Sequence, residues 1–439
     1  MRKFIKAGIV SIATVLALSG CLNNSNNSSE DGMGSQGMDH QTGQAPGSAQ
    51  NQLVTNTPWI ASKNTTRINT SDPVEAAILV SRTLWMATSD DNRPGSVILA
   101  NPEEWQTALA AADLIHHPSN GPVLFVNQER IADSTLNELK RLNPKGVEMN
   151  NGIQVILVGN LDPKVEEQVK RLGFKTDKIE GSNPAAVAKE FDAYYAKVAQ
   201  EIPSSVIVGS MDSMEYTMPA VNWISHMPEP LLYVKKDEIP QETAGALQTR
   251  EGKANIYILG PESVISAQVE EQLKQYGRVV RIAGNDPFEN AIAFAKYKDK
   301  GTDFGWGITT PGHNFSFVSL DSPVLALAAA PFSHLGKHAP LLWTSKDRMP
   351  DSVMSYVMSV RPKYKDSPTE GPYNHAWLTG SEDVISLAAQ GEIDSMLEIV
   401  SESGEGHGGH GTASETPRPA NPDGGTGGHD SHNMPGMEH

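Results

Sequence analysis

Three blocks of sequence recur in the same order three times along this chain. The first block reads TTRINTSDPVEAA, TDKIEGSNPAAVA and VVRIAGNDPFENA. The second reads GPVLFVNQERI, EPLLYVKKDEI and APLLWTSKDRM, and the third reads IQVILVGNLDP, ANIYILGPESV and HAWLTGSEDVI. Equivalent positions are separated by 101 to 120 residues, which is the size of a small domain. The repeat therefore predicts three tandem modules, before any other feature is considered.

Within each copy, the blocks predict alternating strands and helices. VLFV, LLYV, LLWT, VILV and IYIL are apolar runs too short for helices, and they are typical of strands that are covered on both faces. A glycine ends the strand of the third block, and a segment of helical period follows it. Ala-rich stretches at 107–115, 218–224 and 320–332 predict a further helix in each copy. This alternation indicates a parallel α/β sheet in each module.

Several short motifs carry a resemblance to a known family. They include Arg281-Ile282-Ala283-Gly284, the Ala108-Leu109-Ala110-Ala111 helix, Pro230-Leu231-Leu232 and Ile258-Leu259-Gly260. In this order and number they resemble the cell wall-binding repeat 2 family, often abbreviated CWB2. The resemblance implies an α/β fold of three flattened Rossmann-like modules with mainly parallel sheets in pseudo-threefold arrangement. It also implies noncovalent binding of an anionic cell-wall polymer. The predicted modules cover residues 58–178, 179–281 and 282–400.

The first block has two halves, and one of them is explained by helix initiation. Asp72 and Asp286 are expected N-caps, each followed by proline at the first helical position and by Glu75 or Glu289 at the third, as in a capping box. The middle copy keeps Asn183 in the cap position. This half of the motif is therefore predicted to start a helix in every module.

The other half supplies a basic residue to each module: Arg67, Lys178 and Arg281. A cation near a helix N-terminus can bind phosphate or carboxylate, with help from free backbone N–H groups. The alternative is a structural ion pair inside each module. The predicted ligand-binding residues are these three cations.

The N-terminus has the pattern of an exported lipoprotein. Basic residues precede an apolar run that ends in Leu18-Ser19-Gly20-Cys21, which resembles a bacterial lipobox. Residues 1–20 are a predicted signal peptide, and Cys21 is the predicted lipidation site. Residues 21–57 are rich in Asn, Ser, Gly and Gln, which predicts a disordered tether. The expected location is the outer face of a bacterial cell membrane, held by acyl chains on Cys21.

The C-terminal segment, residues 401–439, is a second low-complexity region, with histidine and methionine set among glycines. Imidazole and thioether groups together bind copper or similar soft ions, although a merely solvated end is the alternative. Met33, Met38 and His40 in the tether have a similar composition. The candidate metal ligands of the tail are His407, His410, His429, His432, Met434, Met437 and His439.

The rest of the sequence narrows the class of function. The net charge of −17 disfavours nucleic-acid binding. The motifs HExxH, GxSxG and GxxxxGK[ST] do not occur, so we expect no catalysis and no required cofactor. Four histidines of the third module, His313, His334, His338 and His375, are close in sequence, but proximity in sequence does not establish a hydrolytic site. The predicted function is polymer binding by a lipid-anchored protein, and the alternative is an extracytoplasmic solute- or copper-binding lipoprotein.

Overall fold

The computed structural model describes residues 57–336 and 338–403. The predicted signal peptide, Cys21 and residues 21–56 of the predicted tether lie outside the described residues. Residues 404–439, with all seven candidate metal ligands of the tail, also lie outside them. Within the described part, no helix combines the length and the apolar character needed to cross a membrane.

The strands and helices follow the predicted alternation. The strands are β1 Trp59–Ala61, β2 Thr65–Ile68, β3 Val97–Ala100, β4 Val123–Phe125, β5 Val155–Val158, β6 Thr176–Ile179, β7 Ser205–Ser210, β8 Leu231–Val234, β9 Ala254–Leu259, β10 Gly277–Ile282, β11 Asn314–Ser319, β12 Leu341–Thr344, β13 Lys363–Tyr364, β14 His375–Thr379 and β15 Val400–Ser401. The α-helices are α1 Pro73–Leu84, α2 Trp105–Ala110, α3 Asp133–Leu142, α4 Pro163–Arg171, α5 Pro184–Ala199, α6 Met214–Thr217, α7 Ala220–Ile224, α8 Gln241–Gln248, α9 Ala267–Leu273, α10 Pro287–Lys296, α11 Leu325–Ala329, α12 Asp351–Ser359 and α13 Leu387–Leu397. Short 3-10 helices lie at Asp90–Asn92, Ala111–Leu114, Glu148–Asn150, Lys274–Tyr276, Ala330–Ser333 and Pro368–Glu370.

Three sheets repeat one strand order. The first sheet is β4-β3-β5-β6, the second is β8-β7-β9-β10, and the third is β12-β11-β14-β2-β1. Every pair in them is parallel except β1 with β2. The strands β3, β4, β5 and β8 are buried along their whole length, which explains their continuous apolar runs. The predicted class, α/β with Rossmann-like parallel sheets, is confirmed.

The last strand of each sheet comes from the next copy of the repeat. The strand β6 completes the first sheet and β10 completes the second, so the predicted boundaries after residues 178 and 281 fall inside these strands. By the same rule β2, from the start of the described chain, pairs with β14 in the third sheet. The sheets are therefore completed in a cycle, while the pseudo-threefold symmetry itself stays a prediction.

The helix that follows each completing strand begins as the sequence predicts. The Asp72 carboxylate accepts hydrogen bonds from the N–H groups of residues 74 and 75, and the Asp286 and Asn183 side chains cap α10 and α5. Replacing such a cap by alanine costs about 0.5–2 kcal/mol. The reciprocal half of the capping box differs from the prediction: Glu75 accepts from the Thr70 hydroxyl, and Glu289 accepts from the backbone N–H of residue 285.

In two copies, packing against the helix requires a glycine two residues before the N-cap. A Cβ atom on Gly284 would lie 2.2 Å from the backbone carbon of Glu289, and one on Gly181 would lie 2.6 Å from the backbone nitrogen of Val187. The turn therefore packs directly against the first turn of the helix, and only glycine leaves room for this. The first copy has Thr70 at the equivalent position.

The Ala-rich helix predicted in each copy is broken into short pieces in all three modules. The helix α2 continues as the 3-10 helix Ala111–Leu114, Pro219 separates α6 from α7, and α11 continues as the 3-10 helix Ala330–Ser333. We call these three stretches the central segments, because they contact one another across the modules. The Ser225 hydroxyl donates to the carbonyl of Ala330 at 2.8 Å and links the second to the third.

Candidate functional site

The three predicted ligand-binding cations occupy one structural position. Arg67 lies on β2, Lys178 on β6 and Arg281 on β10, the strands that complete the three sheets. Each cation contacts the side chain four residues after the N-cap of a neighbouring helix, which is α13 for Arg67, α4 for Lys178 and α9 for Arg281. In the order of the cations, these partners are Gln390, Glu166 and Glu270.

Arg67 is fully buried, and its partners are internal. Its Nε donates to Gln390 Oε1 at 2.8 Å and its Nη1 to the carbonyl of Gly380 at 2.8 Å. Burial lowers the pKa of Arg67 to about 10, so the guanidinium stays charged at neutral pH. Since none of its surface reaches solvent, its contacts are those of a structural cation.

The other two cations repeat this arrangement with a carboxylate. Arg281 Nε lies 2.7 Å from Glu270 Oε2, and its Nη1 donates to the carbonyl of Gly260 at 2.8 Å. Lys178 Nζ lies 3.2 Å from Glu166 Oε2. Each contact links a completing strand to a neighbouring helix. This is what the structural ion pair, the alternative interpretation of the sequence, would do. The three cations lie in three different sheets, and ligand binding by them stays a prediction.

A clearer difference between modules lies where two outer helices meet. The outer helix pair is α1 with α3 in the first module, α5 with α8 in the second and α10 with α12 in the third. In the first module Glu138, on α3, is fully buried and accepts hydrogen bonds from Ser81 and Arg82 on α1. Arg141 donates to both oxygens of the same carboxylate. These ion pairs and hydrogen bonds to Glu138 hold α1 against α3.

The second module closes its outer helix pair in a similar way. Arg250, just after α8, donates from two nitrogens to the two carboxylate oxygens of Asp192 on α5, both at 2.8 Å. The two side chains are only 2% and 6% exposed. A bidentate pair of this kind fixes orientation as well as distance, so the helices are joined without an open space at this point.

The third module has a groove where the other two have a buried ion pair. It encloses about 750 Å³ between α10, α12 and the turn at Gly284. Three serines of α12, Ser352, Ser355 and Ser359, line one wall, and Lys296 lines the other. Ser355, Ser359 and Lys296 are exposed. We call this space the third-module groove.

The lining of the third-module groove favours a polar ligand. The Ser355 and Ser359 hydroxyls donate to backbone carbonyls of α12 and keep their own oxygens as acceptors. Lys296 is in no ion pair with any described residue. The groove therefore presents serine hydroxyls, the Lys296 ammonium and the Glu289 carboxylate to a solute, which matches a polar ligand rich in hydroxyl groups.

Sequence reasoning missed a histidine cluster where the central segments end. The structure brings His334 and His338 of the third module together with His116, His117 and His226 of the other two. His375 instead packs edge-on against Trp377. The signal was present, because His116, His226 and His334 are spaced by 110 and 108 residues, which is the period of the repeat.

Comparisons with known proteins identify structures with a similar fold. No family model matches the chain. Two solved structures from Clostridium difficile are similar: Cwp6, with a TM-score of 0.58 and 17% identity, and Cwp8, with a TM-score of 0.59 and 18% identity. Each comparison covers 76% of this chain, and 48% or 52% of the other chain. This is a tandem α/β protein with the fold of those two proteins.

Two curated relatives from Bacillus subtilis (strain 168) match in sequence. The amidase enhancer is 27% identical over 209 residues, which is 46% of this chain and 28% of the relative. The N-acetylmuramoyl-L-alanine amidase LytC is 23% identical over 233 residues, which is 53% of this chain and 42% of the relative. The chain thus spans under half the length of either relative. Together with the structural neighbours, these similarities confirm the predicted resemblance to the cell wall-binding repeat 2 family.

Proposed function

We propose that this protein binds a hydroxyl-rich, anionic cell-wall polymer without catalysis, and that the third-module groove is its binding site. The observation that carries the proposal is the groove itself, where the other modules have a buried ion pair. It is lined by serine hydroxyls and by Lys296, which forms no ion pair with a described residue. Serines would exchange hydrogen bonds with the polymer hydroxyl groups. Lys296 would contact a phosphate or carboxylate.

The named roles of the relatives support a binding function. One is an amidase and the other an amidase enhancer, yet both share with this chain a region of about the same length. N-acetylmuramoyl groups are building blocks of the bacterial wall, so the named substrate of LytC lies there. Each match covers about half of this chain, and similarity to two proteins with different named roles is more easily explained by attachment to a shared surface than by one reaction.

The test uses a substitution that fills the groove. Ser355→Trp would place an indole across the groove, and we expect it to lower the fraction of protein that pellets with purified native walls. A tenfold weaker affinity corresponds to about 1.4 kcal/mol, an ordinary effect for blocking one site. Walls stripped of acid-labile polymer should bind wild type and variant equally weakly.

Ser395→Trp is the matched control. Ser395 is an exposed serine of α13, and its hydroxyl donates to a carbonyl four residues earlier, just as that of Ser355 does. Both variants should keep the circular dichroism of the wild type. Equal pelleting of the Ser355→Trp and Ser395→Trp proteins would remove the groove as the binding site.

We further propose that the protein is held at the outer face of the cell membrane through lipid on Cys21. The support is the order of basic residues, apolar run and Leu18-Ser19-Gly20-Cys21 in the sequence. Cys21→Ser should move the protein from the membrane fraction to the medium. A variant that stays in the membrane fraction would contradict this attachment.

A further inference from the structure

Three histidines at equivalent positions of the repeat meet in one place. His116 follows the first central segment, His226 the second and His334 the third. Their candidate ligand nitrogens all lie within 4.8 Å of one another. Each module thus contributes one imidazole to a single cluster, although more than 100 residues separate neighbouring members along the chain.

The hydrogen bonds of two of these rings leave one nitrogen free on each. His116 Nδ1 contacts the backbone carbonyl of His226, so this nitrogen carries the proton and Nε2 keeps its lone pair. His334 Nε2 lies 3.1 Å from Asn120 Oδ1, and the same argument leaves Nδ1 free when the amide oxygen faces the ring. Contacts that orient an imidazole through its second nitrogen are typical of metal ligands.

The third ring has a buried nitrogen with no partner. His226 Nδ1 is shielded from solvent and makes no hydrogen bond in the described structure. An unpartnered buried polar atom is unfavourable, so this nitrogen is a position where a bound group would lower the free energy. It lies on the imidazole that stands between those of His116 and His338.

The surroundings of His226 and His334 disfavour the protonated form of these two imidazoles. Burial, and then the nearby imidazoles, lower the pKa of His226 to about 4 and that of His334 to about 4. Within residues 57–336 and 338–403, no carboxylate pairs with any of the three rings. Neutral imidazole is the form that binds transition metals.

We propose that His116, His226 and His334 together bind one divalent transition-metal ion, Zn²⁺ or Cu²⁺, between the three modules. Imidazole nitrogens bind both ions, with Zn–N distances of about 2.0–2.1 Å. In a tetrahedral site such distances set the nitrogens roughly 3.3 Å apart. The nitrogens, which lie within 4.8 Å of one another, therefore need to approach by up to about 1.5 Å when an ion binds. Three protein ligands leave a fourth position open.

The origin of the ligands gives the site a structural consequence. Because each ligand comes from a different module, a bound ion would cross-link the three central segments at their ends. An ion that binds only the folded chain raises its stability with the logarithm of the ion concentration. We therefore expect the ion to raise the melting temperature of the whole described region by several degrees.

The first test measures Zn²⁺ and Cu²⁺ binding by the full chain and by His226→Asn. Loss of a ligand should weaken one binding site by at least about 100-fold and abolish the melting-temperature shift. His375→Ala, a histidine of the third module outside the cluster, should retain both. Tail histidines are unchanged in all three proteins, so the difference reports the cluster alone. Equal stoichiometry and equal shift in His226→Asn and wild type would overturn the proposal.

The second test does not depend on a cluster variant that folds. Asparagine replaces all five tail histidines, which are His407, His410, His429, His432 and His439. We expect Co²⁺, a spectroscopic substitute for Zn²⁺, to give this protein the intense visible absorption of a four-coordinate ion, at one equivalent per chain. Absence of that absorption would also overturn the proposal, because the cluster is intact in this protein.

Discussion

The outer helix pairs of the first two modules and that of the third differ in one respect. Glu138 and Asp192 are buried carboxylates that join their outer helix pairs through Arg82 and Arg250. The third module has neither carboxylate nor arginine at this position, and a groove of about 750 Å³ separates parts of α10 and α12 instead. All three modules have the same strand order, so the difference lies in side chains rather than in topology.

This contrast separates a structural role from a binding role. A buried ion pair needs both partners in fixed geometry, because an uncompensated charge in the interior is costly. A groove lined by serines and an exposed lysine needs no such partner and is free to exchange water for a solute. We infer that the repeat conserves the scaffold in three copies, and that one copy has diverged to bind a ligand.

The largest expected effect comes from breaking the ion pair of the second module. Arg250→Ala would leave Asp192 buried without its partner, and we expect the free energy of unfolding to fall by about 3–5 kcal/mol. Urea unfolding followed by circular dichroism measures this. The double variant Arg250→Met, Asp192→Leu should recover most of the loss, because well-packed apolar side chains replace such pairs at little cost. Equal loss in both proteins would contradict the ion-pair account.

A smaller effect is expected in the first module, because Arg82 and Arg141 are partly exposed. Glu138→Gln should lower the free energy of unfolding by about 1.5–3 kcal/mol at pH 7, the range for hydrogen bonds to charged groups. Glu398→Gln, which removes an exposed ion pair with Lys63, should cost under about 1 kcal/mol. Similar losses in the two variants would show that burial does not set the strength of the network.

The pH dependence of the Glu138 effect has a definite sign. Burial alone would raise the pKa of Glu138, but hydrogen bonds from Arg141, Ser81 and Arg82 outweigh it and hold the pKa below the usual 4.5. The unfolded state then binds the proton first as the pH falls. The stability that Glu138 contributes is therefore complete above about pH 4.5 and is lost as the pH falls through its folded-state pKa. The difference between wild type and Glu138→Gln should shrink below pH 4.5.

Features set by neighbouring residues could be predicted from the sequence. The repeat identified the strands, and the helix caps at Asp72, Asn183 and Asp286 followed from local chemistry. The reciprocal contact of Glu75 could not, because Thr70 competes for the same carboxylate. The partner of Arg67 could not either, since Gln390 lies 323 residues away and meets it only when β2 joins the third sheet.

The third-module groove and the histidine cluster were not predicted, because residues far apart in the sequence form them. Lys296 and the serines of α12 show no distinctive sequence pattern. They line a groove because no buried ion pair joins α10 to α12, as one does in the other two modules. The histidine cluster was hidden for a different reason. His116, His226 and His334 lie in three different copies, and the repeat period had to be applied to single residues to connect them.

The smallest expected effect on stability belongs to the residue that should matter most for binding. Lys296 is exposed at the end of α10, so Lys296→Ala should change the free energy of unfolding by no more than about 0.5 kcal/mol. Pelleting with native walls at low salt should nevertheless fall. The loss should diminish as added salt shortens the Debye length from about 10 Å at 0.1 M to about 3 Å at 1 M. Lys197→Ala is the matched control, since Lys197 is an exposed lysine in the last turn of the equivalent helix α5. If both lysine variants lose the same amount of wall binding, the polymer responds to overall charge and the contrast between the modules has no role in binding.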